Sequence, residues 1–172
     1  MTKINTLKDS LTGKIQALYD IEKEIEKALP NMERAATDPE LKEGFTNHLE
    51  ETKQQIRRLE DIFQLMKQSP KKLKVEGVRG IIQDGEWVSQ VETSPAMKDA
   101  LLAGAARYVE HYEMAGYLSA IEEAQILGLS EISDLLNATL LEEKATDEKL
   151  ALAMRNCMAL ANVENEEDDT LE

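Results

Sequence analysis

The sequence predicts an all-α protein built around a bundle of four long helices. Apolar residues recur at steps of three and four along most of the chain, a pattern that places them on one face of a helix. The 172 residues include 8 glycines and 4 prolines, which favours long helices, and 4% aromatic residues, too few for a typical β-sandwich. A chain of this length suits one domain that buries its own core without disulfide bonds.

The first two predicted helices form a hairpin with a short link at residues 36–39. The first helix runs over about residues 6–36 and carries an apolar residue at nearly every expected position. The second begins after Asp38, which serves as the N-cap, and Pro39 takes its first position. It ends near Lys67. Such a short link makes the two helices antiparallel neighbours.

The last two long helices form a second hairpin, with its short link at residues 128–131. Ser94 is the predicted N-cap of the third helix, Pro95 takes its first position and Gly128 ends it. The fourth helix is predicted over about residues 131–160. Residues 164–172 hold six acidic side chains and almost nothing apolar. We therefore expect residues 162–172 to be a disordered acidic tail.

A long crossover, about residues 68–94, joins the two hairpins. Its apolar residues predict a short fifth helix, which is weakened by Gly77, Gly80 and Gly85. A crossover of this length can span the bundle, whereas short loops throughout would indicate an up-and-down topology. One long crossover is the ferritin-like arrangement. The prediction is therefore a ferritin-like four-helix bundle over residues 1–161, made of two helical hairpins.

Charge and cysteine content exclude several kinds of binding partner and covalent or metal cross-link. The net charge of −14 argues against nucleic acid and anionic membranes, because both require positive protein surfaces. Cys157 is the only cysteine, which excludes an intrachain disulfide and a Cys-x-x-Cys zinc site. No secretion signal and no apolar run of about 20 residues are visible in the sequence. We expect a cytoplasmic protein with no membrane span.

Seven ionisable residues lie on or beside helix faces that should be apolar. They are Glu22 in the first predicted helix, His48 and Glu51 in the second, Glu110 and Glu113 in the third, and Glu143 and Asp147 in the fourth. Glu113 falls at the middle of its apolar face, whereas Glu51 lies outside its own, about 60° beyond His48. Most of these residues lie near the middle of their helices, so we expect them to meet at mid-bundle.

Buried carboxylates require compensation, because an unpartnered buried charge is very costly. Few Lys or Arg residues lie on these inner faces. A metal supplies the compensation most simply, and an oxygen-rich set with few imidazoles suits iron or manganese. The prediction is two such ions per chain. The alternatives are a polar seam of protonated or water-linked carboxylates, and helices rotated so that these side chains reach solvent.

The set departs from the known dimetal template, which has a Glu from each of two helices and Glu-x-x-His from each of the other two. Here Glu51 is followed by Gln54, and Glu143 by Thr146, at the positions where histidine is expected. Tyr19 and Tyr117 lie near the same level. Each either packs in the ordinary way or forms a hydrogen bond with a ligand carboxylate.

Other polar residues point away from the apolar stripes and are predicted to lie on the surface. They include Glu50, His111 and Glu142. Cys157 lies on or near the inner stripe of its helix, and we interpret it as a small core residue.

Four short runs resemble the YciF-like (YciE/YciF) family of bacterial stress proteins, within the ferritin-like superfamily. The runs are Leu18-Tyr19-Asp20-x-Glu22-Lys23, His48-Leu49-Glu50-Glu51-Thr52, Val109-Glu110-His111-Tyr112-Glu113 and Glu142-Glu143-Lys144-Ala145-Thr146-Asp147. The resemblance extends over about residues 8–153. It implies a ferritin-like bundle with an extra short helix, a homodimer, and a dinuclear metal centre without an established catalytic role. The ligands implied by position are Glu22, Glu51, Glu110, Glu113 and Glu143, together with His48 and Asp147.

Three hypotheses for the function follow. The first is a stress-response protein whose dinuclear iron or manganese centre acts on peroxide or dioxygen. The second is a non-enzymatic stress or interaction protein in which the metal is structural or absent, and the third is iron binding or storage. Hydrolytic enzymes are disfavoured, because the sequence has no Gly-x-Ser-x-Gly, Walker-type loop or His-Glu-x-x-His motif.

Overall fold

The fold is all-α, as the sequence predicts, in a computed structural model that describes residues 4–169, with side chains up to residue 163. Its helices are α1 (Leu7–Ala35), α2 (Pro39–Leu65), α3 (Glu76–Gln90), α4 (Pro95–Ile126) and α5 (Ser130–Asp169). The described residues contain no β-strand. Within the same residues, no helix is both long and apolar enough to cross a membrane.

The four long helices enclose one core. Helix α1 packs along α2 and helix α4 along α5, and the two hairpins meet through α1 against α4 and α2 against α5. Helix α3, in the crossover, lies against α4 and α1. The arrangement is the predicted bundle of two hairpins joined by a long crossover with a short helix of its own.

The predicted helix starts are confirmed at both capping residues. The Asp38 carboxylate accepts a hydrogen bond from the Leu41 amide at 2.8 Å, and the Ser94 hydroxyl accepts one from the Met97 amide at 3.3 Å. Such caps contribute about 1 kcal/mol each. Gly128 follows α4 with a φ of 70°, a left-handed conformation that glycine adopts without a steric penalty.

Helix α3 is longer and better anchored than its three glycines suggest. The amide of Val75, its N-cap residue, donates to the buried Asp20 carboxylate at 2.9 Å, and Arg79 donates to the same group at 2.7 Å. A Cβ atom added to Gly77 would lie 2.8 Å from the Tyr112 hydroxyl. The glycine thus allows α3 to approach α4 closely, so it contributes to packing as well as lowering helix propensity.

Helix α5 continues beyond the end near residue 160 that the sequence predicts. Its backbone is helical up to Asp169, so it includes most of the segment for which we expected disorder. The physical reason is that residues 161–169 contain no glycine or proline, and glutamate is a good helix former. The end of the predicted tail, residues 170–172, lies outside the described residues.

Apolar packing is interrupted at mid-bundle. The buried face of α1 carries Leu18, then Glu22, then Ile25. The buried face of α5 carries Leu140, then Glu143, before the apolar series resumes at Leu150. Carboxylates therefore occupy core positions in helices from different hairpins.

Candidate metal centre

Each of the four long helices contributes an acidic or imidazole side chain to the interior of the bundle. They are Glu22 from α1, His48 from α2, Glu110 and Glu113 from α4, and Glu143 from α5, and each is at most 5% exposed. The local reason is helical geometry, because each residue continues the three- and four-residue spacing of its apolar neighbours.

Four of these side chains converge on one point. Among the side chains that the structure describes, His48, Glu110, Glu113 and Glu143 each offer one donor atom, and these atoms all lie within 4.8 Å of one another. Donors on opposite sides of a single metal ion lie roughly 4–5 Å apart. The four residues can therefore share an ion without a large rearrangement of the helices.

Glu22 and Glu51 border this group. The Tyr117 hydroxyl donates to Glu22 Oε1 at 2.5 Å, and the charge of Glu22 contributes to the raised pKa of Glu113. Glu51 is partly exposed, with Oε2 at 3.6 Å from His48 Nδ1 and 3.4 Å from the Thr146 hydroxyl. Six of the seven predicted site residues thus belong to one neighbourhood.

Several carboxylate oxygens in this neighbourhood are buried without compensation. Within the described part of the chain, hydrogen-bond partners are absent for both oxygens of Glu113 and for one oxygen each of Glu22, Glu110 and Glu143. Leaving a buried acceptor unsatisfied costs roughly 1–3 kcal/mol, and more when it is charged. Oxygen donors with one imidazole are the set that iron and manganese accept. The residues present therefore fit a metal centre.

The electrostatics of the cluster favour protons when no cation is bound. Burial, with the neighbouring carboxylates, raises the pKa of Glu113 and Glu143 well above the usual value. Burial also raises the pKa of Glu22 to about 7. Burial acts to lower the pKa of His48, but the nearby Glu110 charge outweighs it and the pKa rises well above 6.5. A cation would replace these protons as the neutralising charge.

The structure gives different roles to Tyr117 and Tyr19, for which the sequence left two roles open. Tyr117 is fully buried and its hydroxyl holds Glu22. Tyr19 instead donates to Glu60 at 2.9 Å and packs edge-on against Phe63. Tyr117 thus positions a carboxylate of the cluster, whereas Tyr19 belongs to the α1–α2 packing.

Sequence reasoning missed Gln55. Its side chain is fully buried, and Nε2 donates to Glu143 Oε1 at 2.5 Å and to Glu142 Oε2 at 3.2 Å. The available signal was an amide on the inner face of α2, one helical turn after Glu51. This hydrogen bond restricts the orientation of the Glu143 carboxylate.

Asp147 and Glu142 differ from the sequence expectation. Asp147 lies outside the four-residue group, and its Oδ1 accepts a hydrogen bond from Arg107 Nε at 2.7 Å. Glu142, predicted to lie on the surface, is only partly exposed. Arg58 donates to its Oε2 at 2.6 Å across the interface between α2 and α5. In both cases an arginine from another helix holds the carboxylate.

A groove leads from the surface to the cluster between α2, α4 and α5. We call it the polar groove; its volume is about 340 Å³, and its walls combine charged side chains such as Glu40 and Lys149 with apolar ones such as Phe45 and Leu152. It reaches both His48 and Glu110. Ions and small polar solutes therefore have a route to the buried donors.

Comparison with known proteins places the chain in a family. A family model described as "Domain of unknown function (DUF892)" matches residues 6–162. Protein YciF of Escherichia coli strain K12 is 35% identical over 155 residues, which is 89% of this chain and 93% of that protein.

Two solved structures support the same relationship. The crystal structure of the E. coli stress protein YciF superimposes with a TM-score of 0.87 at 33% identity, covering 91% of this chain and 99% of the other. The protein YcfI from Rhodopseudomonas palustris superimposes with a TM-score of 0.84 at 37% identity, covering 87% of this chain and 95% of the other. The resemblance that the sequence motifs indicated is confirmed: the chain belongs to the DUF892 family and is a relative of the stress protein YciF.

Proposed function

We propose that this protein holds a dinuclear iron or manganese centre inside the bundle and acts on peroxide or dioxygen during stress. The observation that carries the proposal is the set of buried carboxylate oxygens of Glu22, Glu110, Glu113 and Glu143 that have no hydrogen-bond partner among the described residues. Such a set is costly in a metal-free protein and becomes favourable once cations are bound.

Six side chains form the proposed ligand set. They are Glu22, His48, Glu51, Glu110, Glu113 and Glu143. The dimetal template likewise uses six side chains from four helices. Five carboxylates also nearly balance the charge of two divalent ions. Asp147 is not part of the proposed set, because Arg107 already binds it.

The protein's own residues position and shield the site. Tyr117 holds Glu22 and Gln55 holds Glu143, so two ligands on different helices are fixed before a cation arrives. The polar groove gives small oxidants a route to the cluster. When bound, redox-active ions would supply electrons to peroxide or dioxygen. The stress role is proposed by relationship to YciF, which is described as a stress protein.

Metal stoichiometry tests the proposal. Metal-free protein is incubated anaerobically with Fe(II) or Mn(II), desalted and subjected to elemental analysis. We expect two ions per chain in the wild type and a loss of metal in Glu143→Gln. The matched control is Glu148→Gln, which removes the charge of an exposed glutamate on the same helix and should retain the metal.

The outcomes separate the alternatives. Absence of metal in the reconstituted wild type contradicts the proposal. Two ions per chain without consumption of peroxide or dioxygen would assign the metal a structural role, and a content far above two per chain would indicate storage. Full metal content in Glu143→Gln, equal to that of Glu148→Gln, would place the site elsewhere.

A further inference from the structure

A second cavity reaches the same metal-binding residues from the other side of α4. It lies between α1, α3 and α4, and we call it the apolar pocket. Its inner walls are aliphatic or alanine side chains, and His48 and Glu110 lie among its lining residues. The walls are formed by Ile25, Leu29, Met32, Ile82, Ala105 and Val109. His48 and Glu110 also line the polar groove, so two routes of different polarity converge on them.

The size of the apolar pocket suits a very small molecule. Its volume is about 40 Å³, which is enough for more than one water molecule. A diatomic molecule also fits this space. The inner part of the pocket therefore accommodates water or a small gas, whereas a larger molecule would have to extend past the outer rim.

The aliphatic part of the lining argues against water. A buried water requires two to four polar partners, and apolar cavities stay dry and bind apolar ligands such as xenon. Asn31 and Glu86 are exposed and form the outer rim of the pocket, and the hydroxyl of the half-buried Ser89 already donates to the Glu86 carbonyl. The aliphatic walls offer no hydrogen bonds. His48 and Glu110 are the polar groups at the buried end.

The pocket does not result from a steric requirement of helix packing. A Cβ atom added to Gly85 of α3 would meet only the Ala105 Cβ, at an ordinary contact distance of 3.7 Å. At Gly77 of the same helix, by contrast, a Cβ atom would lie 2.8 Å from the Tyr112 hydroxyl. At Gly77 an added Cβ would require the end of the Tyr112 side chain to shift, whereas Gly85 leaves space that an alanine could fill.

We propose that the apolar pocket is a binding site for dioxygen, which reaches the metal centre beside His48 and Glu110. Ions and peroxide, which are charged or strongly hydrated, would use the polar groove instead. The use of the bound gas rests on the proposed function, but the existence of the gas site does not, because the walls of the pocket are formed by the protein alone.

Methyl-resolved NMR of the metal-free protein under xenon pressure tests the site directly. We expect saturable shifts at the methyl groups of Ile25, Leu29 and Val109. Gly85→Ala should weaken xenon binding several-fold, because its new methyl group occupies the pocket. The matched control is Gly80→Ala, on the same helix, where an added Cβ meets nothing within 4 Å. It should leave xenon binding unchanged.

A second substitution and a second gas complete the test. Ala28→Leu, which places a larger side chain on the α1 wall, should abolish xenon binding. Dissolved oxygen is paramagnetic, so it should enhance relaxation of the same methyl groups in the wild type and not in Ala28→Leu. Absence of saturable shifts, or equal xenon affinity in wild type and Gly85→Ala, would overturn the proposal. Because these measurements need no metal, they can succeed or fail independently of metal stoichiometry.

Discussion

Two groups of buried carboxylates in this bundle differ in what surrounds them. Asp99 accepts three hydrogen bonds, from the Thr37 amide at 2.7 Å, the Thr37 hydroxyl at 2.6 Å and the Asp38 amide at 2.8 Å. Asp20 accepts hydrogen bonds from Arg79 and from the Val75 amide. Both aspartates tie chain segments between helices to the bundle, and their role is structural.

Glu113 is as deeply buried but has no such partners. Asp20 and Asp99 are 2% exposed and Glu113 is 0% exposed, so burial alone does not separate the groups. The pKa values of Asp20 and Glu113 differ in direction: burial acts to raise the pKa of Asp20, but the Arg79 hydrogen bond and charge bring it below its usual value, whereas burial raises the pKa of Glu113. The lesson is that the number of hydrogen-bond partners, rather than depth, distinguishes a structural carboxylate from a candidate metal ligand.

The largest effect is expected at Asp99. Asp99→Ala leaves the Thr37 and Asp38 amides without their acceptor, and we expect the free energy of unfolding of the metal-free protein to fall by about 3 kcal/mol. Urea denaturation measures this change. Metal content should be unaffected. Unchanged stability would show that the three hydrogen bonds do not hold this region.

The opposite sign is expected at Glu113. Glu113→Met removes an unpartnered buried acid while keeping a similar volume, so the metal-free protein should gain about 1–3 kcal/mol in the free energy of unfolding. The same variant should bind less metal. Denaturation with chelator present gives the first quantity and elemental analysis the second. Lower stability in the metal-free variant would mean that Glu113 has a structural partner after all.

The stability of the metal-free protein should fall as pH rises from about 4.5 to 7. The pKa of Glu22 is about 7 in the folded protein against 4.5 as the ordinary value, so over this range the folded state binds the extra proton. That stabilisation is complete below pH 4.5 and is lost at up to about 1.4 kcal/mol per pH unit for this group. Glu113 and Glu143 act in the same direction over this range, because their pKa values are also raised. His48, whose pKa is raised well above 6.5, adds to the fall only above about pH 6.5.

Denaturation at several pH values with chelator present checks this trend. Glu22→Gln should make the fall shallower, because one of the titrating groups is gone. Saturating metal should reverse it, since metal binding displaces protons and strengthens as pH rises. A metal-free protein that becomes more stable towards pH 7 would contradict the raised pKa values.

The smallest effect is expected at Asp147. Asp147→Asn weakens one partly exposed pairing with Arg107, and pairs near the surface contribute about 0.5 kcal/mol. The wild-type number of metal ions should remain. Elemental analysis of Asp147→Asn and Glu143→Gln in parallel compares their metal contents. Loss of metal in Asp147→Asn would return this residue to the ligand set that the sequence indicated.

Much of the fold follows from local sequence patterns. Caps such as Asp38 and Ser94 and the three- and four-residue spacing of apolar side chains are local properties, so the two hairpins and the crossover are predictable. The same periodicity places Glu22, Glu113 and Glu143 on inner faces. A helical turn of about 100° per residue is sufficient for that inference.

The partners of these side chains were less predictable. Asp147 lies about 40° from Glu143 around α5, and whether it faces the cluster or Arg107 depends on how α5 is rotated against α4. Likewise, the hydrogen bonds of Tyr117 to Glu22 and of Gln55 to Glu143 join different helices. Periodicity within one helix carries no information about how that helix is rotated against its neighbours. Only the three-dimensional structure shows these rotations.

Anomalous diffraction from crystals of the manganese-loaded protein tests the central claim most directly. The account predicts two manganese peaks at mid-bundle, surrounded by carboxylates from all four long helices and by the His48 imidazole. It also predicts that Asp20 and Asp99 keep their present hydrogen bonds. A cluster without peaks, with ordered waters between protonated carboxyl groups, would contradict the account and identify the site as a polar seam in the core.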